Sequence, residues 1–461
     1  MDFGSTFTKA ALVDLVEGRI LASASHPTTI ATDVLDGYDA CLADLVALDR
    51  RAADAEVLAC SSAGGGLRIA VVGNEELVTA EAGRRVALSS GGKVVSVIAA
   101  AGRPADKGRY AALTHTTRPD VVLLTGGTDG GNSEVLLQAA RDLVASGWNG
   151  PVVVAGNVDA QPQVAAILGD VPHVLAANVV PKIGVLTPDS ARAAIREMFL
   201  AHVIGGKHLS TRADFTAMVR GATPDVVLTG VELLARGLDA AHPGAGDVVV
   251  VDVGGATTDV HSVVEVDPDT RHTEGGLARE VVASTPVTRT VEGDLGMRWS
   301  AVSTVTEAGL DDLAEAAVRR QSEPGFLPTT DSGVEADEAI ARAAAGLALR
   351  RHAGRSRVVL SPDPSTSSGQ AARVDRTGKD LRGVDLLVGS GGVLRNGRVG
   401  VAERVLAGST GADLEGGWQL PRGPRVVVDR DYVLAAAGLL AERHPVAAYR
   451  LAISLIGAGG G

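Results

Sequence analysis

Two short stretches of this 461-residue chain carry the same chemically useful residues at the same spacing. The first is Asp2-Phe-Gly4-Ser5-Thr6-Phe-Thr8-Lys9; the second, about half the chain further on, is Asp252-Val-Gly254-Gly255-Ala-Thr257-Thr258-Asp259. A carboxylate at a strand end, a glycine that lets backbone approach a ligand, and hydroxyls around the turn form a clamp for phosphate oxygens with room for a divalent cation. Asp2 and Asp252 are the expected Mg2+ ligands, largely through water because Mg2+ dehydrates reluctantly. Two such acids also orient a water for in-line attack on a terminal phosphate. Gly4, Ser5, Thr6, Thr8, Gly254, Gly255, Thr257 and Thr258 offer amides and hydroxyls, and Lys9 is the one cation within either turn. The plainer reading of the same residues is turn caps, strand threonines and an exposed lysine. One such turn is a weak signal. Two of them predict a duplicated fold whose halves grip opposite sides of one nucleoside triphosphate tail.

Two further glycine-rich places could serve such a ligand. Gly389-Ser-Gly391-Gly392 follows an apolar run, and its bare backbone allows a flat adenine or ribose to lie against it. Gly126-Gly-Thr-Asp-Gly-Gly-Asn132 is denser in glycine than a turn requires, and Asp129 within it is a candidate to position water or metal. Asp120–Gly127 also aligns without a gap on Asp385–Gly392, at nearly the same separation as the two acidic turns, which extends the duplication. Other site classes find no support. There is no Gly-x4-Gly-Lys-[Ser/Thr] loop and no GxGxxG frame with its distant acid. Ser61-Ser62 lacks a histidine pattern, His261 reads as a strand residue, and Cys41 and Cys60 read as small buried thiols of a reducing compartment.

These turns need strands to hold them and helices to cover the strands. The composition, 45% hydrophobic with 57 Gly and 3% aromatic, is that of Val-rich parallel strands under Ala/Leu helices joined by Gly turns. The length predicts two or three domains: a first lobe over 1–184, a helical connection and strand over 185–244, a second lobe over 245–430 and closing helices over 431–461. Periodicity predicts a hairpin from Lys9 to Ala24 and helices over 36–48, 75–88, 190–204 and 335–349. It predicts strands entering glycine at 121–127, 152–156 and 226–230, and buried strands at 247–252 and 386–388. The polar stretches 102–119, 267–279 and 361–382 read as irregular. A net charge of −12 argues against nucleic acid and anionic membrane as partners. No apolar run reaches the roughly 20 residues of a spanning helix, and the chain opens on the first acidic turn rather than on a leader, so a cytoplasmic protein is expected.

The paired Asp-x-Gly turns with a later Gly-Gly turn resemble the superfamily of actin, the Hsp70 ATPase domain and sugar kinases. That resemblance implies two ribonuclease-H-like α/β lobes around a central nucleotide cleft, binding ATP and Mg2+. More narrowly, Asp2–Lys9, Ser61–Arg68, Thr125–Asn132, Ala155–Asn157, Val251–His261 and Val291–Arg298 resemble the glutamate mutase accessory (MutL/GlmL) family, which is distinct from the DNA mismatch repair protein of that name. The family resemblance implies an ATPase with a chaperone-like role, exchanging damaged cobalamin in an adenosylcobalamin-dependent glutamate (methylaspartate) mutase, with a homodimer as one oligomeric option. Small-molecule kinases of the superfamily and nucleotide-gated scaffolds are the competing functions. Only Met1 precedes Asp2, where the superfamily has a longer first strand: either the start is placed too late or the strand is cut short, and if the chain begins here a frayed strand and weakened ATP affinity are expected.

Overall fold

The computed structural model describes residues 1–74, 78–100, 107–265, 285–362, 370–413 and 416–457. The chain divides into two compact units. One comprises Met1–Leu233, Val281–Thr288 and Val433–Ala452; the other comprises Leu234–Glu280, Arg289–Tyr432 and Ile453–Gly461. The expected connection over 185–244 therefore falls mostly inside the first unit, as do most of the closing helices.

The first unit holds two five-stranded sheets. In the first of them, β1 (Asp2–Phe3), β2 (Phe7–Asp14) and β3 (Arg19–Pro27) run as an antiparallel meander. On its other side β1 pairs in parallel with β4 (Ala59–Ser61). The second sheet contains β5 (Leu67–Gly73), β6 (Gly92–Ala99), β7 (Val121–Leu124), β8 (Val152–Val154) and β9 (His173–Leu175) in the order β6-β5-β7-β8-β9. All four of its pairings are parallel. Parallel strands need crossovers and both faces covered, and the side chains show it. Ile69, Val71, Val121, Leu123 and Val153 enter one core, while the alternate residues Ala70, Val72, Val122, Leu124, Val152 and Val154 enter another. The chain then returns to the first sheet as β10 (Val219–Ala222), which pairs in parallel with β4, giving the order β10-β4-β1-β2-β3.

After a short hairpin, β11 (Gly237–Asp239) with β12 (His242–Pro243), the second unit builds one five-stranded sheet. Its strands β13 (Val248–Val253) and β14 (Thr258–Val263) are antiparallel, and β15 (Val287–Glu292) flanks β14. Between β15 and the next strand of that sheet come β16 (Arg355–Pro362) and β17 (Gln370–Thr377), which form a separate antiparallel pair. Then β18 (Leu386–Ser390) pairs in parallel with β13, and β19 (Arg425–Val428) pairs in parallel with β18. The order β15-β14-β13-β18-β19 repeats that of the first sheet of the other unit, with the acid-bearing strand central in each. Val249, Val251 and Val253 pack on the helix Asp331–His352 through Ile340, Ala344 and Ala348. Glu338 on that helix is buried yet ionised: Arg404 and Arg398, each donating two hydrogen bonds at 2.7–3.1 Å, hold its carboxyl at about 2.

Four expectations are corrected. Residues 226–230 lie within the helix Thr223–Arg236, not in a strand. Thr223-Pro-Asp225 is a helix-start signal that outranks the Val-rich run after it. Gly230 lets this helix meet the helix Val433–Leu440, since a side chain there would lie 2.1 Å from the Leu434 carbonyl oxygen. The stretch 107–117 is helical rather than irregular. Much of 361–382 is strand in the β16–β17 pair. The second internal match also fails, because Val121–Leu124 lies in the all-parallel sheet while the neighbour of β1 matching β18 is β4. An apolar strand running into glycine is common to any parallel α/β unit, so that match carried no topological information. The expected polar excursion over 267–279 lies outside the described residues.

Candidate functional site

The two acidic turns are the same turn. In the first, Asp2 lies opposite Lys9 on β2, and the Gly4 amide donates to the Phe7 carbonyl at 3.1 Å. In the second, Asp252 lies opposite Asp259 on β14, and the Gly254 amide donates to the Thr257 carbonyl at 2.9 Å. Both glycines are required sterically, because a side chain on Gly4 would meet the Phe7 oxygen at 2.6 Å and one on Gly254 the Thr257 oxygen at 2.8 Å. Equal turns on equally ordered sheets place each acid centrally, beside the parallel neighbour β4 or β18.

Asp2 is not at a frayed end. The Met1 amino group donates to the Leu58 carbonyl at 2.9 Å, and the Cys60 amide donates to the Met1 carbonyl at 3.0 Å, so β1 is pinned on both sides. Asp2 is 7% exposed. Its Oδ1 accepts from the Thr223 hydroxyl at 2.6 Å and from the Cys60 thiol at 3.6 Å, while Lys9 Nζ stands 3.7 Å from Oδ2. Burial and the neighbouring Asp2 push the Cys60 thiol well up, so it stays protonated and donates. Thr223 was not legible as a partner of Asp2, since 221 residues separate them and no motif marks it. The next residue of β4, Ser61, has its Oγ buried with no hydrogen-bond partner among the described residues.

Around Asp252 the turn is clamped by a second loop. The Met297 amide donates to the Gly254 carbonyl at 2.9 Å, the Arg298 amide to the Gly255 carbonyl at 2.8 Å, and the Ser300 hydroxyl to the Ala256 carbonyl at 2.7 Å. Gly296 permits this approach, since a side chain there would lie 2.7 Å from the Gly255 oxygen. The stretches Val251–His261 and Val291–Arg298, far apart in the chain, are thus one structure. Gly391 joins them: its φ of 104° and a Cβ position 2.2 Å from the Val253 oxygen explain the glycine by packing, whereas Gly392 faces open space. Asp252 is level with Ser390, so Gly389, Gly391 and Gly392 are brought beside it.

The hydroxyls divide into two groups. Thr8 and Thr258 are fully buried; Thr8 Oγ1 lies 3.2 Å from Thr28 Oγ1, and Thr258 donates to the Leu295 carbonyl at 3.0 Å. These two hydroxyls face the protein, not a ligand, which corrects the expectation for them. Ser5 is exposed, and Thr6, Thr257, Gly254 and Gly255 are half-buried, so the turns themselves remain accessible. Asp259 accepts from Arg289 Nε at 2.9 Å and Nη2 at 2.5 Å. His261 is buried, and burial together with nearby Arg289 lowers it to about 3, so it is a neutral core residue.

Asp129 lies elsewhere, after β7 in the all-parallel sheet and not on the sheet that bears Asp2. Its Oδ1 accepts from Asn178 Nδ2 at 2.8 Å and from the Val158 amide at 3.2 Å, while Asp159 receives the Gly130 amide at 2.8 Å. The carboxylates organise the loop Gly126–Asn132 against the loops after β8 and β9. Gly126 and Gly127 have φ of 143° and 70°, so the density of glycine there is a backbone requirement. Among the described residues no three His, Cys, Asp or Glu converge on a metal position. The donor set around the turns, carboxylate and hydroxyl oxygens with backbone amides, fits Mg2+ held by one or two carboxylates and phosphate oxygens.

Comparison with known proteins places this chain among relatives. The family described as MutL protein matches residues 1–455. Protein MutL of Clostridium tetanomorphum is 34% identical over 469 residues, covering 98% of this chain and 97% of the relative. Among solved structures, the nucleotide-free acetone carboxylase described under the mechanism of ATP-dependent acetone carboxylation is 15% identical, with a TM-score of 0.39, over 95% of this chain and 69% of that one. That structural likeness is too slight to carry an inference.

Proposed function

The chain belongs to the MutL protein family, and from that premise we propose that it is an ATP-hydrolysing accessory protein of an adenosylcobalamin-dependent glutamate (methylaspartate) mutase, which it reactivates by exchanging damaged cobalamin. The observation that carries the ATP part is the repeated turn: the same Asp-x-Gly reversal on two sheets of the same strand order. Sheets of this order fit the lobes of the actin, Hsp70 and sugar kinase type. In this reading the amides of Ser5, Thr6, Gly255 and Thr257 bind phosphate oxygens, Gly4 and Gly254 close the turns that present them, Lys9 offsets the phosphate charge, and Gly392 leaves room for the nucleoside. Asp2 and Asp252 would hold Mg2+ through water, and their carboxylates would orient the attacking water by accepting its hydrogen bonds. Bound Mg2+ supplies charge neutralisation at the transferred phosphate. Asp129 keeps the loop Gly126–Asn132 in shape. A reactivation cycle further requires ATP to bind two conformations of the protein with different affinity.

The test is phosphate release by the purified protein, with and without a glutamate mutase inactivated by cyanocobalamin. Asp252→Ala is expected to lower turnover at least a hundredfold, about 2.7 kcal/mol of barrier, with an unchanged circular dichroism spectrum, and ATP is expected to restore mutase activity only with the unsubstituted protein. Unchanged turnover in the variant removes Asp252 from the site. Phosphorylation of a small metabolite in the absence of mutase replaces the accessory role with a kinase.

A further inference from the structure

Three apolar side chains of the second unit stand exposed around one point. Trp299 is 51% exposed, Val318 56% and Leu327 72%. Scattered singly, such residues are ordinary, whereas a contiguous apolar patch marks a surface that meets another molecule. Trp299 comes from the loop that clamps the Asp252 turn, Val318 from the helix Ala314–Ser322, and Leu327 from the chain beyond that helix. Contacts of their neighbours in sequence draw them together. Arg298 Nη2 donates to the Phe326 carbonyl at 3.1 Å, and the Arg319 guanidinium carbon lies 3.9 Å from the centre of the Phe326 ring. Trp299 follows Arg298, Val318 precedes Arg319 and Leu327 follows Phe326, so all three border the same cluster.

The cluster beneath them is firmly tied. The Arg298 amide donates to the Gly255 carbonyl at 2.8 Å and its Nη2 to Asp337 Oδ2 at 3.3 Å, while Arg320 pairs with the other oxygen of Asp337 and gives Nη2 to the Gly333 carbonyl at 2.9 Å. Ser300, on the other side of Trp299, holds the Ala256 carbonyl. Side chains mounted on so fixed a base lose little freedom on binding, which favours affinity. The fold itself does not use them, since from the same elements it is Met297, Ala301, Val305 and Ala317 that enter the core. Tryptophan is also among the residue types that dominate the energetics of protein interfaces. The charge around the patch has one sign. From residue 307 to 335 seven acidic side chains are exposed against a single base, Arg319, which already pairs with Glu323 at 3.9 Å. Among the described residues Asp311, Asp312 and Glu315 have no ion-pair partner, and Glu315 lies one helical turn before Val318.

We propose that this patch docks a basic amphipathic segment of a partner protein, its apolar side chains on Trp299, Val318 and Leu327 and its lysines or arginines against Asp311, Asp312 and Glu315. The same acids repel anionic lipid and nucleic acid. The probe is an amphipathic helical peptide of leucine and lysine, titrated against the intact protein by fluorescence anisotropy with no nucleotide present, so that the outcome stands apart from the ATP reading. Saturable binding is expected, weakened by salt and weakened roughly tenfold or more in Trp299→Ala and in Leu327→Ser. Both positions are exposed, so each variant should keep an unchanged circular dichroism spectrum. Ile183→Ser, at a side chain 78% exposed in the first unit, should bind the peptide as the unsubstituted protein does. Absence of saturable binding overturns the proposal, as does binding that survives both Trp299→Ala and Leu327→Ser or falls equally in Ile183→Ser. Equal affinity for the peptide with glutamate in place of lysine overturns the basic partner. Phosphatidylserine vesicles that bind where the peptide does not, and lose affinity in the same two variants, give the surface to a membrane instead of a protein.

Discussion

Two buried histidines give the second unit a pH dependence. His261 and His352 are buried in the second unit, and desolvation, the first cause in each case, lowers both to about 3; Arg289 adds to this for His261, and Lys379 for His352. His352 is held neutral between the Ser262 hydroxyl at 2.8 Å and the Thr290 hydroxyl at 2.9 Å. In the unfolded chain a histidine titrates near 6.5. The unfolded state therefore binds more protons than the fold between about pH 6.5 and 3, and stability falls as pH falls through that window, being fully present above it. Each histidine contributes a slope of up to about 1.4 kcal/mol per pH unit. Denaturant titration of the second unit's transition at pH 8, 7, 6 and 5 should show a plateau, then a decline, and His352→Gln should flatten the decline. A transition as stable at pH 5 as at pH 8 contradicts the assignment of these two side chains.

At the level of elements, the acidic turns were legible because their chemistry is local. Asp, Gly and Thr at fixed offsets specify a reversal whose backbone bond, Gly4 to Phe7 or Gly254 to Thr257, closes within four residues. Gly254→Ala tests how tightly that reversal is built. A methyl group 2.8 Å from the Thr257 oxygen forces the turn open, and the expected cost is about 1–3 kcal/mol by backbone strain, with nucleotide affinity reduced more than stability. Gly392→Ala, at a position with open space around it, should leave stability nearly unchanged, and equal losses in the two variants would contradict the turn geometry. What the sequence concealed was non-local. The run 226–230 reads as strand from its valines, but its glycine answers to the Leu434 backbone of a helix two hundred residues away. The strands β16 and β17 were hidden by a polar composition that their pairing overrides. The all-parallel sheet was legible as strand-glycine units, yet its order, β6-β5-β7-β8-β9, depends on crossovers that periodicity does not encode. Asp129 was read as chemistry because dense glycine suggests a ligand; its contacts to Asn178 and Val158 explain it as loop architecture.

Across the whole molecule, the proposal requires one ligand to be felt by two compact units. A ligand that binds the native state alone stabilises it by RT ln(1 + [L]/Kd), about 2.7 kcal/mol at a hundredfold excess over Kd. If both acidic turns contribute to ATP binding, the unfolding of each unit is linked to that term, whereas a ligand held by one turn stabilises only the unit that carries it. The chain supplies its own reporters, because its three tryptophans divide between the units: Trp148 in the first, Trp299 and Trp418 in the second. Trp148 is buried, so its emission follows the unfolding of its surroundings. A variant carrying Trp299→Phe and Trp418→Phe reports the first unit, and Trp148→Phe reports the second. With a slowly hydrolysed ATP analogue and Mg2+, both reporters should move to higher temperature together. Asp252→Ala should return both to their ligand-free midpoints, although it alters only the second unit. A shift confined to one reporter would mean that the repeated turn is shared ancestry without shared ligand, and the coupling that a reactivation cycle needs would then have to come from another part of the chain.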